Sequence, residues 1–171
     1  MANDLPISFR AYAPADLEPC RSLWRELTER HREIYDDPAI GGDDPGPSFD
    51  NEYLKRSDLA TVWVVELQGE VVGLTGLLIE GDEGQVEPMV VTERLRSQGV
   101  GRRMLEHVAA EAKQRGLSTL SIKPVARNVE AIQLFHEAGF RLLGHMDMFM
   151  ELNTKREWKA GVTVHGRDFG F

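Results

Sequence analysis

The chain has 171 residues, 42% of them apolar and 28% charged, with 20 basic and 28 acidic side chains for a net charge of −8. That length and mixture describe one folded domain and exclude a disordered chain or two full-sized domains. The charge is divided unevenly: residues 1–93 hold 7 Lys/Arg against 20 Asp/Glu, net −13, and residues 94–171 hold 13 against 8, net +5. An acidic first half argues against general nucleic-acid binding. A basic second half leaves room for one anionic ligand, or is simply a differently solvated surface.

Cys20 is the single cysteine, so an intramolecular disulfide and a cysteine-based metal cluster are excluded. It falls in a helical apolar pattern and reads as a core thiol. The start, MANDLPISFR, lacks the basic-then-apolar pattern of a secretory leader. No run approaches the ~20 apolar residues of a membrane span. The expectation is a cytoplasmic protein with no membrane partner.

In chain order, residues 7–12 alternate as a first strand. Asp16, after Pro14, is placed to cap a helix whose stripe is Leu17, Cys20, Leu23, Trp24, Leu27 and Ile34, ending near Tyr35. Residues 36–47, DDPAIGGDDPGP, cannot continue that helix. A structureless segment of this length is commonly functional or mobile. A short helix carrying Phe49, Tyr53 and Leu54 follows. Residues 61–67 read as a strand, Gln68 and Gly69 as a turn, and 71–79 as the returning strand. Residues 85–91 form a third strand, in which Pro88, lacking an N–H, implies an edge or a bulge.

A helix from about Gly101 to Arg115 carries Met104, Leu105, Val108, Ala109 and Ala112 on one face, with Gly116 beyond its end. Residues 118–123 are a further strand. Asn128 caps a helix bearing Ala131, Ile132, Leu134, Phe135 and Ala138, closed by Gly139. A strand from Phe140 is expected next, its extended character continuing through residues 145–152, with Met146, Met148 and Met150 alternating to pack one sheet face. The tail from Trp158 reads as a strand, a loop or an arm lying on a partner. The order suits an α/β fold with a central mixed sheet and helices on both faces.

The chemistry-bearing stretch is 86–103, VEPMVVTERLRSQGVGRR. A strand enters a glycine-containing turn that opens a helix. The first N–H groups of a helix lack intrahelical partners, and the dipole adds about +0.5 charge there. Gly99 and Gly101 let backbone approach a bulky anion. Arg96, Arg102 and Arg103 add positive charge, with Arg94 nearby. Physically this is a phosphate cradle, or else a plain strand-to-helix turn with surface arginines. It is not a P-loop, which needs Gly-Lys-Ser/Thr. It is not the Rossmann fingerprint either, since Met104 stands where a third glycine belongs.

The segment Arg96-Ser97-Gln98-Gly99-Val100-Gly101 resembles the R/Q-x-x-G-x-G/A pyrophosphate loop of the GNAT superfamily of N-acetyltransferases. Asn128, Ala131, Leu134, Phe135, Gly139 and Phe140 are similarly placed to that family's N-x-x-A-x-x-L-Y-x-x-x-G-F segment. The two motifs stand in the right order, and the resemblance covers about residues 60–152. It implies a single GNAT-like α/β domain: an acceptor-side part over about 1–60, a cofactor-binding core over about 61–152, and a tail over 153–171. The sheet would be mixed and mostly antiparallel. It also implies acetyl-CoA as co-substrate, with no metal, and a small-molecule or peptide amine as acceptor. Met89, Val90 and Val91 would pair through backbone with the pantetheine arm. The N–H groups of Gln98, Gly99, Val100, Gly101 and Arg102 would hold the pyrophosphate, with Arg96, Ser97, Arg102 and Arg103 around it. Asn128 and Phe135 would line the pantetheine. Members of the family commonly pair through C-terminal strands, so a homodimer is expected.

Phe135 departs from the pattern, since the family often has a tyrosine there that is thought to protonate the leaving thiolate. A thiol titrates near pKa 8.5, so a departing thiolate at pH 7 is off equilibrium by only about 2 kcal/mol, whereas unmasking a lysine-like amine costs about 4–5 kcal/mol. The base is the larger problem. Glu87, two residues before Met89, is the candidate base acting through water; the alternatives are binding the substrate ammonium or facing solvent. His136 is a substitute acid or a surface histidine. His31 lies by the 36–47 loop, as a substrate contact or a helix-surface residue. His107 reads as solvated, and His145 with Asp147 makes no metal site without a third ligand. Two further readings stand beside the enzyme. One is a non-catalytic acyl-CoA-binding or sensing module on the same fold, motivated by Phe135. The other is a nucleotide-binding α/β domain, which the three-strand meander does not suit.

Overall fold

In a computed structural model, which describes residues 5–153 and 158–171, the chain resolves into two compact units, residues up to Lys123 and residues from Pro124. The first holds β1 (Ile7–Ala11), α1 (Leu17–Tyr35), β2 (Val62–Leu67), β3 (Glu70–Glu80), β4 (Glu83–Val91), α2 (Val100–Gln114) and β5 (Thr119–Ile122). The strands make one sheet in the order β1-β2-β3-β4-β5. The first four pair antiparallel, β2 to β3 and β3 to β4 through tight turns and β1 to β2 across α1 and the segment that follows it, and β5, which returns after α2, pairs parallel with β4. A helical crossover is what a parallel pair requires.

Alternation along the strands gives the sheet two apolar faces. On one, α1 brings Cys20 and Leu23 against Val62, Val64, Leu74 and Val90, with Phe49 and Tyr53. On the other, α2 brings Val100 and Met104 against Ile7, Val65 and Val72. Both helices present their apolar residues at three- and four-residue spacing, which is why each covers a face. Cys20 is fully buried, and burial pushes its thiol up to about 12, which makes it a core residue.

Phe49 and Tyr53 lie on a single π-helical turn, Phe49–Tyr53, and stack at 5.9 Å with Trp24 against both. Bidentate contacts of Arg21 with Asp50, at 2.7 and 2.9 Å, tie that turn to α1. The preceding segment, expected to be functional or mobile, is fastened to the same helix. Arg25 grips Asp44 at 2.8 and 3.1 Å, and Arg32 donates to the carbonyl oxygens of Ile40 at 2.9 Å and Gly42 at 2.5 Å.

Pro88 marks a bulge. Thr75 pairs with Met89 and Leu77 with Val86, so Glu87 and Pro88 together oppose Gly76 alone. A side chain at Gly76 would fall onto the Tyr53 hydroxyl and within 2.7 Å of the Glu87 carbonyl oxygen, so this position requires glycine.

Three expectations are corrected in the first unit. Asp16 precedes α1, but its side chain makes no cap bond to it. It accepts instead from Arg10 at 2.6 and 2.7 Å and from the Ala13 N–H at 2.8 Å, because a bidentate guanidinium is the stronger partner. The helix after the glycine turn begins at Val100, one residue early. His107 is not solvated: it stacks on Phe9 at 4.5 Å and meets Trp63 edge-on at 5.1 Å, and burial holds its imidazole below the ordinary range.

In the second unit, Asn128 caps α3 (Val129–Glu137), accepting from the Ala131 N–H at 3.1 Å. Phe135 meets Phe140 edge-on at 6.3 Å. The expected strand from Phe140 is absent: residues 140–153 belong to no strand or helix, and Met146, Met148 and Met150 are 51, 72 and 82% exposed. Alternation decides which side chains share a face but does not supply the neighbouring strand a ladder needs. The tail forms a hairpin of β6 (Ala160–Val164) and β7 (Arg167–Gly170).

Two stability measurements test these contacts. Gly76→Ala should cost about 1–3 kcal/mol of overpacking in urea unfolding, and Tyr53→Phe in the same chain should recover part of that loss. No recovery would show that the hydroxyl is not the obstacle. The Arg10 hydrogen bonds hold the Asp16 carboxyl below its usual range. A depressed carboxylate stabilises the fold above its unfolded pKa and loses that contribution as pH falls through its folded value. Asp16→Asn should therefore cost about 2 kcal/mol at pH 7, with the difference shrinking below about pH 4; a gap constant with pH would exclude the charge as its source.

Candidate functional site

The bulge sets the geometry of the site. Past it, among the described residues of the first unit, no strand pairs with β4 on the β5 side, because β5 pairs only with Glu83 to Val86. Thr92 N–H donates to Val72 O at 2.9 Å. By the antiparallel alternation, Val90 then directs its backbone groups at β3, and Met89 and Val91 direct theirs at the open edge. The Val91 carbonyl accepts from Arg96 Nε at 3.2 Å. Of the three residues expected to offer backbone to a ligand, Met89 and Val91 face the open edge and Val90 does not.

The edge runs into a turn shaped by backbone conformation. Ser97 and Gly99 both take positive φ, 59° and 84°. Alternation of left- and right-handed residues turns successive N–H groups toward one concavity, an arrangement suited to anions. Gly99 is the N-cap of α2 and has no side chain to cap it, and the first helical bond is Arg103 N–H to Gly99 O at 3.2 Å. The N–H groups of Val100, Gly101 and Arg102 are thus the orphan donors of that helix end. Nothing lies within 4 Å of where a Gly99 side chain would stand.

The arginines here have varied employment. Arg102 pairs with Glu106 at 3.2 Å on the helix surface. Arg103 donates to the carbonyl oxygens of Leu5 at 2.6 Å and Ile7 at 3.2 Å, joining α2 to the start of β1. Arg96 also stands 4.0 Å from Glu26 of α1, whose carboxylate accepts from the Thr92 hydroxyl at 3.1 Å and the Glu93 N–H at 2.8 Å. Gln98 closes the turn on itself, donating to Arg94 O at 2.8 Å. Glu26 fastens the cradle to α1, and sequence spacing gives no sign of it, since its partners lie 66 and 67 positions away.

Glu87 lies on the α1 side of the bulge. Its Oε2 accepts from Gln85 Nε2 at 2.5 Å, and its Oε1 forms an ion pair with Arg56. Arg56 ends the short turn Leu54–Arg56, with its guanidinium carbon 5.9 Å from the centre of the Tyr53 ring. Burial pushes the Tyr53 phenol up to about 12, so it stays a neutral hydroxyl. Arg56 and Gln85 were not among the residues that the sequence pattern picked out. His31 sits on α1 with burial holding its imidazole down, and His136 is exposed on α3. Asn128 and Phe135 lie in the second unit. Among the described residues, no three His, Cys, Asp or Glu side chains are grouped to hold a metal, and no helix is long and apolar enough to cross a membrane.

Comparison with known proteins gives a consistent result. A model of the acetyltransferase (GNAT) family matches residues 21–140. An IAA acetyltransferase of Azospirillum brasilense is 33% identical over 94 residues, 54% of this chain; the chain spans 61% of that enzyme's length. A GNAT-family acetyltransferase from Staphylococcus aureus Mu50 has the same fold, at TM-score 0.65 and 18% identity, covering 86% of this chain and 94% of its own. So does the PaiA N-acetyltransferase of Thermoplasma acidophilum in complex with coenzyme A, at TM-score 0.66 and 15% identity, covering 81% and 92%.

Proposed function

The chain belongs to the acetyltransferase (GNAT) family, and on that premise we propose that it transfers an acetyl group from acetyl-CoA to a primary amine by direct attack on the thioester. The observation that carries this reading is the continuity of an unpaired strand edge with an anion-suited turn. Met89 and Val91 offer backbone donors and acceptors to an extended amide-bearing arm, and the strand delivers that arm to the N–H groups of Gln98 to Arg102. An arm with amides at one end and a pyrophosphate at the other fits both. The Thermoplasma relative, whose structure holds coenzyme A, supports the same choice. The whole chain would work as one acetyltransferase domain.

In the reaction, the amine nitrogen bonds to the acetyl carbon and the carbon–sulfur bond breaks. Glu87 takes the amine proton through water once Arg56 has left its Oε1. The thiolate leaves and is protonated by water, since Phe135 has no proton to give. Positioned proton abstraction contributes on the order of 10²–10⁴ in rate.

Acetyl-CoA at about a hundredfold excess over Kd should raise the melting temperature by roughly 5–10 °C, and Gly99→Trp, which puts a bulky ring at the turn, should abolish the shift. An unshifted parent protein would sink the cofactor assignment. Glu87→Gln should lower turnover more at pH 7 than at pH 9, where a lysine-like amine is partly deprotonated already. An equal loss at both values would leave Glu87 as an ammonium contact. Retained binding with no turnover on any amine would favour the acyl-CoA-binding module.

A further inference from the structure

The ion pair at the mouth of the site bears on which amines it takes. Both oxygens of Glu87 are engaged, Oε1 by Arg56 and Oε2 by Gln85, yet the pair is reachable from solvent, with the Glu87 side chain 29% exposed and Arg56 53% exposed. An incoming ammonium that takes Glu87 must displace the guanidinium. What becomes of Arg56 then decides the cost. Its turn sets it beside the Tyr53 ring, which keeps the displaced head close by. The acidic residues flanking it in the chain already have partners: Asp50 is bound to Arg21, Glu52 to the Ser48 hydroxyl at 2.9 Å, and Asp58 accepts from the Ala60 N–H at 2.9 Å as the cap of the next turn.

A plain amine would therefore leave two cations side by side with one carboxylate between them. An amine that carries its own carboxylate resolves this. Its ammonium, with the water that carries its proton to Glu87, takes the place of Arg56 there, and its carboxylate receives the planar fork of Arg56, so one internal pair is exchanged for two across the interface.

We infer that the acceptor is an amphoteric amine, an amino acid or a compound with an acid group similarly close to its amine, and that Arg56 is its specificity-determining residue. This rests on the acetyl-transfer reading above. It disfavours polycations such as polyamines, even though the first half of the chain is acidic.

The test uses matched acceptors, each amino acid beside its carboxamide, with release of free CoA as the readout. The acid-bearing member should be preferred by roughly 10–100-fold in kcat/KM, the range of a hydrogen-bonded charge contact. Arg56→Gln should erase the preference from both sides, weakening the acid-bearing member and, with the competing guanidinium gone, strengthening the carboxamide, and Arg56→Lys should restore part of it. The acetyl-CoA melting shift serves as the folding control for both variants. A carboxamide used as well as its acid, or an Arg56→Gln loss equal for both, overturns the inference. Calorimetric binding of the same pairs to CoA-saturated protein reads the preference without turnover. Absent CoA release therefore tells against acetyl transfer alone, and a binding preference for the carboxamide tells against the role of Arg56.

Discussion

One extra residue in β4 governs the rest of the molecule. With Glu87 and Pro88 both set against Gly76, the register on either side of the bulge differs by one. In a structure of period two, a one-residue slip exchanges faces. Glu87 thus comes to the α1 side with Gln85, while Met89 two residues on lies on the α2 side with Val91. Pairing with β5 ends at the same place, so among the described residues of the first unit the strand continues with one free edge. The candidate carboxylate, the free edge and the approach to the glycine turn follow from a single local irregularity. Gly76 permits it, because the Tyr53 hydroxyl and the Glu87 carbonyl occupy the space a side chain would need.

The charge asymmetry acquires a different meaning once partners are known. Part of the acidity of the first half is internally matched: Asp16 and Glu66 by Arg10, Asp50 by Arg21, Asp44 by Arg25, Glu87 by Arg56. Two of those pairs, Arg21 with Asp50 and Arg25 with Asp44, hold irregular pieces against α1. The basic half is likewise less of a positive field than its count suggests, with Arg103 on carbonyls, Arg102 on Glu106 and Arg96 on Val91. On the proposed reading, anion recognition at the turn would therefore fall mainly to backbone N–H groups. Their direction is fixed by φ at Ser97 and Gly99, and they neither titrate nor swing away.

What the sequence made legible was local. The meander, both long helices, the Asn128 cap and the irregularity at Pro88 are each determined within a few residues by periodicity, turn chemistry or a missing N–H. The glycine turn belongs with them. What escaped depends on partners far along the chain. His107 looked solvated because its neighbours on α2 are polar, while the rings that enclose it come from Phe9 and Trp63. Asp16 looked like a cap because nothing local announces Arg10. Residues 140–153 alternate as a strand should, but alternation carries no information about whether a neighbouring strand is present.

That division runs through the site itself. The half suited to the cofactor is made of backbone: a strand edge and a helix end, specified by proline and glycine at set positions and tolerant of most side-chain changes. The half around Glu87 is made of side chains on a one-turn π-helix, a three-residue turn and the bulge, held together by ring packing and ion pairs. A backbone device can persist while sequences diverge, because its donors belong to every residue. A side-chain device changes with single substitutions, and a residue such as Arg56 contributes through its placement beside Glu87 rather than through any pattern around it. On the proposed reading, binding of a shared donor and choice of acceptor would thus be separable in this molecule, with the bulge as the point where the two halves meet.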